Sequence, residues 1–222
     1  MKKVIIINGS PRKNFNTAKL LKEAARGATE SGAEVEFFNL YDLNYKGCIS
    51  CLACKRKGVL QKGLCFYKDG LTPLLEKCLN ADAVIIGSPV YHSYPSGMFR
   101  CFMERFVFPA HTYMLDRVNG GLKRVIQRTL PVGVIMTMNA TQEQYKRNKY
   151  DIILRENEES LHAVFGYSET LYSFDTFQYT DYSKYDCDLF DPEHKAQVRD
   201  RQFPIDLRKA YEMGKRLATM NM

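Results

Sequence analysis

The stretch Lys3-Val4-Ile5-Ile6-Ile7-Asn8-Gly9-Ser10-Pro11-Arg12-Lys13-Asn14-Phe15-Asn16-Thr17 decides how the chain folds. Residues 4–7 are a continuous β-branched run, which suits a strand buried on both faces of a parallel sheet. Residues 8–17 are dense in turn and cap formers. From residue 18 the apolar positions Leu20, Leu21, Ala24, Ala25 and Ala28 keep helical spacing until Ser31-Gly32 ends the run. Residues 34–38 read as a second strand, so 4–38 form one βαβ unit.

The pattern recurs along the chain. Leu71, Leu74, Leu75, Cys78 and Leu79 stripe a helix, and residues 83–87 form another buried strand. Met98, Phe99, Phe102, Met103 and Phe106 line the next helix. Residues 132–138 give a fourth strand, and a long polar helix is expected over 141–165. A fifth strand is expected near 170–174, and Leu207, Ala210, Tyr211, Gly214, Leu217 and Ala218 stripe a closing helix. Strands alternating with helices predict an α/β fold, a doubly wound parallel five-stranded sheet covered on both faces. Residues 1–222 read as a single domain.

Two stretches break the alternation. Residues 41–70 are a long loop carrying four of the seven cysteines, and residues 174–206 form an aromatic and acidic excursion. Long loops in compact domains tend to be functional or to cover an interface. The excursion is expected to be a surface segment or subunit contact; its aspartates lack the spacing and glycine of a calcium loop.

Composition narrows the class. Among 222 residues, 45% are hydrophobic and 26% charged, the balance of a globular chain rather than a disordered one. No run reaches the roughly 20 apolar residues that span a bilayer. The apolar stretch at the N-terminus is too short for a signal peptide, so the expected compartment is the cytoplasm. Lys and Arg number 32 against 25 Asp and Glu, a formal +7. That excess attracts anions, but no basic stripe with interleaved aromatics is present, so neither nucleic acid nor membrane is expected as a partner.

The loop over residues 8–17 is suited to an anion. It joins a buried strand to a helix N-terminus, where unpaired amides and the helix dipole both favour negative charge. Ser10, Arg12, Asn14, Asn16 and Thr17 add hydroxyls, amides and a guanidinium. The stretch lacks the Gly-Lys-Ser/Thr ending of a Walker A loop and the three glycines of a dinucleotide loop. The plainer alternative is a helix capped by Asn16 or Thr17 with nothing bound.

Gly9-Ser10-Pro11-Arg12, Asn14 and Asn16-Thr17 together resemble the opening of the NADPH-dependent FMN reductases and flavodoxin-like quinone reductases. Gly87-Ser88-Pro89-Val90-Tyr91, with Ser96-Gly97 at a helix start, resembles their second flavin loop. Phe15 departs from the pattern, since glycine is common there; it would crowd the cradle or cover the ribityl chain. The resemblance implies a flavodoxin-like three-layer fold, strand order 2-1-3-4-5, with the crevice at the switch point between strands one and three. It implies FMN as cofactor, its phosphate on Ser10, Arg12, Asn14, Asn16, Thr17 and Ala18. The ring would lie along Pro89, Val90, Tyr91 and His92 near Ser96 and Gly97, with Thr137, Met138 and Asn139 closing the other side. His92 is a candidate proton partner, because imidazole titrates near neutral pH. A homodimer or higher homo-oligomer is implied as well, with the 174–190 aromatics as spare surface.

Cys48, Cys51, Cys54 and Cys65 admit three readings. Their spacing is similar to that of the iron-sulfur flavoproteins, which place a cluster in the corresponding loop. The ten-residue gap before Cys65 loses preorganisation, so free thiols or a redox disulfide are the favoured reading, ahead of a cluster and then of zinc. Lys55, Arg56, Lys57 and Lys62 are expected to lower thiolate pKa values nearby. The activity implied is transfer of electrons from NAD(P)H through FMN to a quinone, a flavin or another small acceptor. The alternatives are an electron-transfer iron-sulfur flavoprotein or flavodoxin-type carrier, and a redox-sensing flavin-binding protein.

Overall fold

The computed structural model describes residues 1–58, 62–118 and 120–221. The β-branched runs form the parallel strands β1 (Lys3–Asn8), β2 (Glu34–Asn39), β3 (Ala83–Tyr91), β5 (Val132–Thr137) and β6 (Ser168–Ser173). A two-residue strand, β4 (Tyr94–Pro95), pairs antiparallel with the end of β3. The order is β2-β1-β3-β5-β6, which with β4 set aside is the 2-1-3-4-5 order of a flavodoxin-like sheet.

Helices α1 (Asn16–Glu30) and α7 (Phe203–Thr219) cover one face, burying Leu20, Leu21, Ala24, Met213 and Leu217 against Val4, Ile6 and Ile85. Helices α2 (Thr72–Asn80), α3 (Gly97–Val107) and α5 (Tyr150–Phe165) cover the other, where Phe99, Phe102, Phe106 and Phe165 pack on Ile7, Ile86 and Val134. The Phe106 and Phe165 rings stack at 4.4 Å, joining α3 to α5.

Three elements depart from the sequence expectations. The helix expected over 141–165 is two, α4 (Gln142–Arg147) and α5, broken where Lys149 turns left-handed at φ 57°. Strand β3 runs past residue 87 and folds back through His92 and Ser93, both at positive φ (47° and 73°), into β4. Such a two-residue hairpin usually uses Asn-Gly, and holding two side-chain-bearing residues there stores strain of order 1–3 kcal/mol each. The 174–206 excursion contains α6 (Pro192–Arg201), capped by the Asp191 side chain, which accepts the Glu193 amide at 2.9 Å. The excursion's first part folds back over the carboxyl ends of the strands, where Thr176 donates to the Met138 carbonyl and Tyr182 is buried, while most of 183–202 is on the surface.

Helices α1 and α7 cross in near backbone contact. A Cβ at Gly27 would lie 2.1 Å from the Tyr211 carbonyl oxygen, and one at Gly214 1.9 Å from that of Ala24. Nothing can yield there except the helices themselves, so Gly214→Ala is expected to destabilise by about 3 kcal/mol or more. Gly97, with open space around it, should accept Ala within about 0.5 kcal/mol. Denaturant midpoints of the two variants test the contrast; equal midpoints contradict it.

Candidate functional site

Parallel register sets the ends of three strands side by side: Asn8 faces Gly87, and Pro89 faces Thr137. The loops leaving them enclose a cleft of about 800 Å³. In the first loop the Asn8 side chain accepts the Ser10 amide at 3.0 Å and donates to Asn39 Oδ1 at 3.0 Å. The Gly9 amide donates to the Gly87 carbonyl at 2.7 Å, and a Cβ on Gly9 would sit 2.8 Å from that oxygen. The turn therefore needs glycine. Ser10 Oγ accepts the Arg12 amide at 3.1 Å, tightening the loop.

Helix α1 opens without a cap. Phe15 occupies the N-cap position with no side-chain hydrogen bond, and the first turn carries no acid. The first helical bond runs from the Lys19 amide to the Phe15 carbonyl, so the amides of Asn16, Thr17 and Ala18 have no partner within the helix. Neither candidate cap residue caps. Thr17 and Thr137 hydroxyls share a 2.8 Å hydrogen bond, while the Asn16 side chain donates to the Phe177 carbonyl at 2.8 Å. Arg12 lies over the Phe15 ring, 3.3 Å from its centroid, and donates to the Gln178 carbonyl at 2.7 Å. Phe15 thus holds the guanidinium flat at the cleft wall.

Of the residues expected at the site, Ser10, Arg12, Asn16, Thr17, Pro89, Val90, Tyr91, His92, Thr137 and Asn139 line this one cleft. Four stand elsewhere. The Asn14 side chain turns to Lys22, whose ammonium donates to it at 2.8 Å. Ala18 is buried and offers the cleft only its amide. Ser96 is buried as the cap of α3, accepting the Phe99 amide at 3.3 Å and donating to the Gly9 carbonyl at 2.6 Å. It ties the first loop to the second. Gly97 starts α3 outside the cleft wall.

The third wall comes largely from residues the sequence reading did not name. Thr176, Gln178 and Phe190, with Tyr150, line the cleft. Asn139 donates to Gln178 Oε1 at 2.7 Å, while its own Oδ1 is buried with no partner. Lys195, almost fully buried, pairs with Asp175 and donates to the Asn139 carbonyl at 2.8 Å, fixing the loop from behind. The signal available in sequence was the aromatic density of 174–190, but not which wall it would build. Burial pushes the Tyr91 phenol above its usual pKa, with Tyr41 adding to the shift.

The cleft is of ordinary size for a cofactor. Its lining offers uncapped amides, a guanidinium and an orphaned acceptor, together with aromatic faces. A planar ring carrying a phosphorylated tail fits that donor and acceptor set, and FMN is such a molecule.

Cys48, Cys51, Cys54 and Cys65 line a second, small cavity together with Glu104, Arg105 and Phe108. The ten-residue gap therefore does bring Cys65 back; residues 59–61 within it lie outside the described residues. The Cys48 amide donates to Glu104 Oε2 at 3.0 Å. The buried Arg105 guanidinium holds Asp69 at 2.5 Å and the carbonyls of Lys46 and Tyr67, and its Nε has no partner. Four thiols and an orphaned donor suit an iron-sulfur cluster in number and type. Among the described residues, though, no three such ligands already stand close enough to hold a metal ion. The expected lowering of thiolate pKa fails at Cys54, where burial outweighs Lys55 and pushes the thiol up. Lys55 itself turns to the carbonyls of Phe108 and His111. Maleimide should therefore modify exposed Cys48 and Cys51 first, and fully buried Cys78 only on unfolding. Peptide mapping of a timed reaction checks the order, and early labelling of Cys78 contradicts it.

Residues 2–142 match the model of the NADPH-dependent FMN reductase family. An iron-sulfur flavoprotein of Methanocaldococcus jannaschii is 40% identical over 103 residues, which cover 46% of this chain and 51% of that one. An iron-sulfur flavoprotein of Methanosarcina thermophila is 28% identical over 149 residues, covering 67% and 71%. The chain spans about half the length of the first such relatives. Among solved structures, an NAD(P)H:quinone oxidoreductase from Methanothermobacter marburgensis superimposes with a TM-score of 0.66 at 16% identity, over 100% of this chain and 99% of that one. An azoreductase from Bacillus anthracis gives 0.65 at 14%, over 97% and 100%. These two likenesses concern the fold. With the family model matched across well over half its length, and the sheet order and glycine turn that the cleft requires, the chain belongs to the NADPH-dependent FMN reductase family.

Proposed function

We propose that the chain binds FMN in the cleft at the ends of β1, β3 and β5 and acts as an NAD(P)H-dependent oxidoreductase on a small acceptor such as a quinone or a free flavin. The observation that carries this reading is the uncapped α1 N-terminus facing the same cleft as Arg12 and the orphaned Asn139 Oδ1. FMN, when bound, supplies hydride acceptance and onward electron transfer. The residues supply position. The amides of Asn16, Thr17 and Ala18, with Arg12, hold the phosphate. Asn139 Oδ1 accepts a hydrogen bond from the ligand, relieving the only unpartnered side-chain oxygen found buried among the described residues. Tyr91, about half exposed, covers the open side, where an acceptor enters.

The iron-sulfur flavoprotein reading has its own support in the four cysteines around one cavity and in the names of the relatives. Flavodoxin-type carriers are usually acidic, and this chain is formally +7, which favours the enzyme.

Replacing Arg12 and Thr17 by Ala should weaken FMN far more than riboflavin, because only FMN carries the phosphate. The loss of a charge-assisted bond costs about 1.5–3 kcal/mol, roughly ten- to a hundred-fold in affinity. Equal losses for the two flavins would remove the phosphate assignment. NAD(P)H oxidation with a quinone should survive Cys65→Ser in protein that is yellow and free of iron. Iron at or above the flavin stoichiometry, lost on that substitution, would establish the carrier reading instead.

A further inference from the structure

Helix α6 docks in an unusual way. Of its ten residues only Lys195 is buried, at 2% exposure. A helix normally seats an apolar stripe, and burying an ammonium sacrifices its hydration. The Lys195 ammonium has three partners. It pairs with the Asp175 carboxylate, donates to the Asn139 carbonyl at 2.8 Å, and lies 4.9 Å from the centroid of the Phe190 ring. Asn139 and Phe190 both line the cleft, so the ammonium reaches the cleft wall from behind.

The other half of the ion pair sits on a strained bend. Asp175 is left-handed at φ 55°, a conformation that aspartate tolerates better than most residues but that persists only where the surroundings impose it. Its amide donates to the Ala140 carbonyl at 2.8 Å, and the Thr176 amide to the Met138 carbonyl at 3.0 Å. These bonds lay residues 175–178 along the loop that follows β5. The Asp175 carboxylate then holds Lys195 on one oxygen and His194 on the other.

Asn139 is fixed at both ends by this arrangement. Lys195 holds its carbonyl, and its side-chain Nδ2 donates to Gln178 Oε1 at 2.7 Å. Its Oδ1 is left buried and unpartnered, and cannot turn over without losing the bond to Gln178. The cleft therefore has a fixed acceptor. An acceptor oxygen repels a phosphate, so it serves the ring or the ribityl chain, the parts that FMN and riboflavin share. Lys195, Asp175 and Gln178 all lie beyond residues 2–142, the stretch matched to the family.

We propose that Lys195 is a positioning residue for the flavin: with Asp175 it fixes the Asn139 loop so that Oδ1 meets a donor on the ring or the ribityl chain. This rests on FMN occupying the cleft. Lys195 does not itself line the cleft, so its effect passes through Asn139. Removing it should therefore weaken FMN and riboflavin alike, because the acceptor does not meet the phosphate. The effect should also vanish once residue 139 has no side-chain oxygen to place. A mere tether for the segment would behave differently. Its loss would free the Phe177 and Gln178 carbonyls that hold Asn16 and Arg12, and FMN would suffer more than riboflavin.

Titration of the full chain with FMN and with riboflavin, followed by flavin fluorescence, tests this. Lys195→Met should raise both dissociation constants about ten-fold, the scale of one well-made hydrogen bond. Asn139→Ala should do the same, and in that background Lys195→Met should add less than about two-fold, because the two act on one contact. Lys195→Met leaves Asp175 with His194 as its partner. Adding Asp175→Asn removes the second charge, so the denaturant midpoint should recover while affinity stays low. Circular dichroism confirms that each variant is folded. Unchanged affinity in Lys195→Met, a larger loss for FMN than for riboflavin, an undiminished loss in the Asn139→Ala background, or affinity that recovers with stability would overturn the proposal alone. Wild-type protein that binds neither flavin would overturn the cleft reading, and the proposal with it.

Discussion

The bond from the Gly9 amide to the Gly87 carbonyl, 2.7 Å long, carries the β1–β3 ladder one residue beyond the sheet and into the loops. Everything around the cleft depends on that approach. It brings the first loop close enough for Ser96 to donate to the Gly9 carbonyl, and through Ser96 it fixes the start of α3. It also sets Thr17 against Thr137, so that the N-terminus of α1 points across the third strand. A side chain at residue 9 would drive its Cβ to 2.8 Å from the Gly87 oxygen and push these elements apart.

The C-terminal excursion completes what the sheet begins. Its carbonyls at Phe177 and Gln178 hold Asn16 and Arg12, and its Gln178 side chain holds Asn139. A buried ammonium would normally be expensive, but Lys195 has the Asp175 carboxylate and the Asn139 carbonyl as partners. His194 reaches the same carboxylate at 2.6 Å. The excursion is thus anchored by Lys195 on the Asn139 carbonyl, and within it Tyr179 stacks on Tyr185. Helix α3 links this cleft to the cysteine cavity. Its first turn is tied to the first cleft loop by Ser96, and two turns on, Glu104 and Arg105 hold the ends of the cysteine loop.

The sheet was legible because continuous β-branched runs have few other uses, and the helices because their apolar spacing is regular. Most of the first two loops was legible too, from residue types at a strand-to-helix turn. What escaped was set by long-range contacts. The His92–Ser93 turn carries no Asn-Gly signal and exists because β3 and β4 pair around it. Helix α6 is polar on nearly every side, so no apolar stripe marks it, although Asp191-Pro192 at its start is a fair capping signal. Asn14 and Asn16 look equivalent in sequence, yet one turns to Lys22 and the other to the Phe177 carbonyl of the C-terminal excursion. The favoured pKa for the cysteine loop failed at Cys54 because burial, invisible in sequence, outweighed a neighbouring charge.

The central claim is that one cleft, built from the ends of β1, β3 and β5, takes FMN. Hydrogen exchange of the full chain with and without FMN measures this directly, since bound phosphate and ring slow the amides they cover. Protection confined to residues 9–19, 88–93, 137–140 and 176–178 is the predicted result. No protection at 15–18, or protection centred on the cysteine cavity, would contradict it.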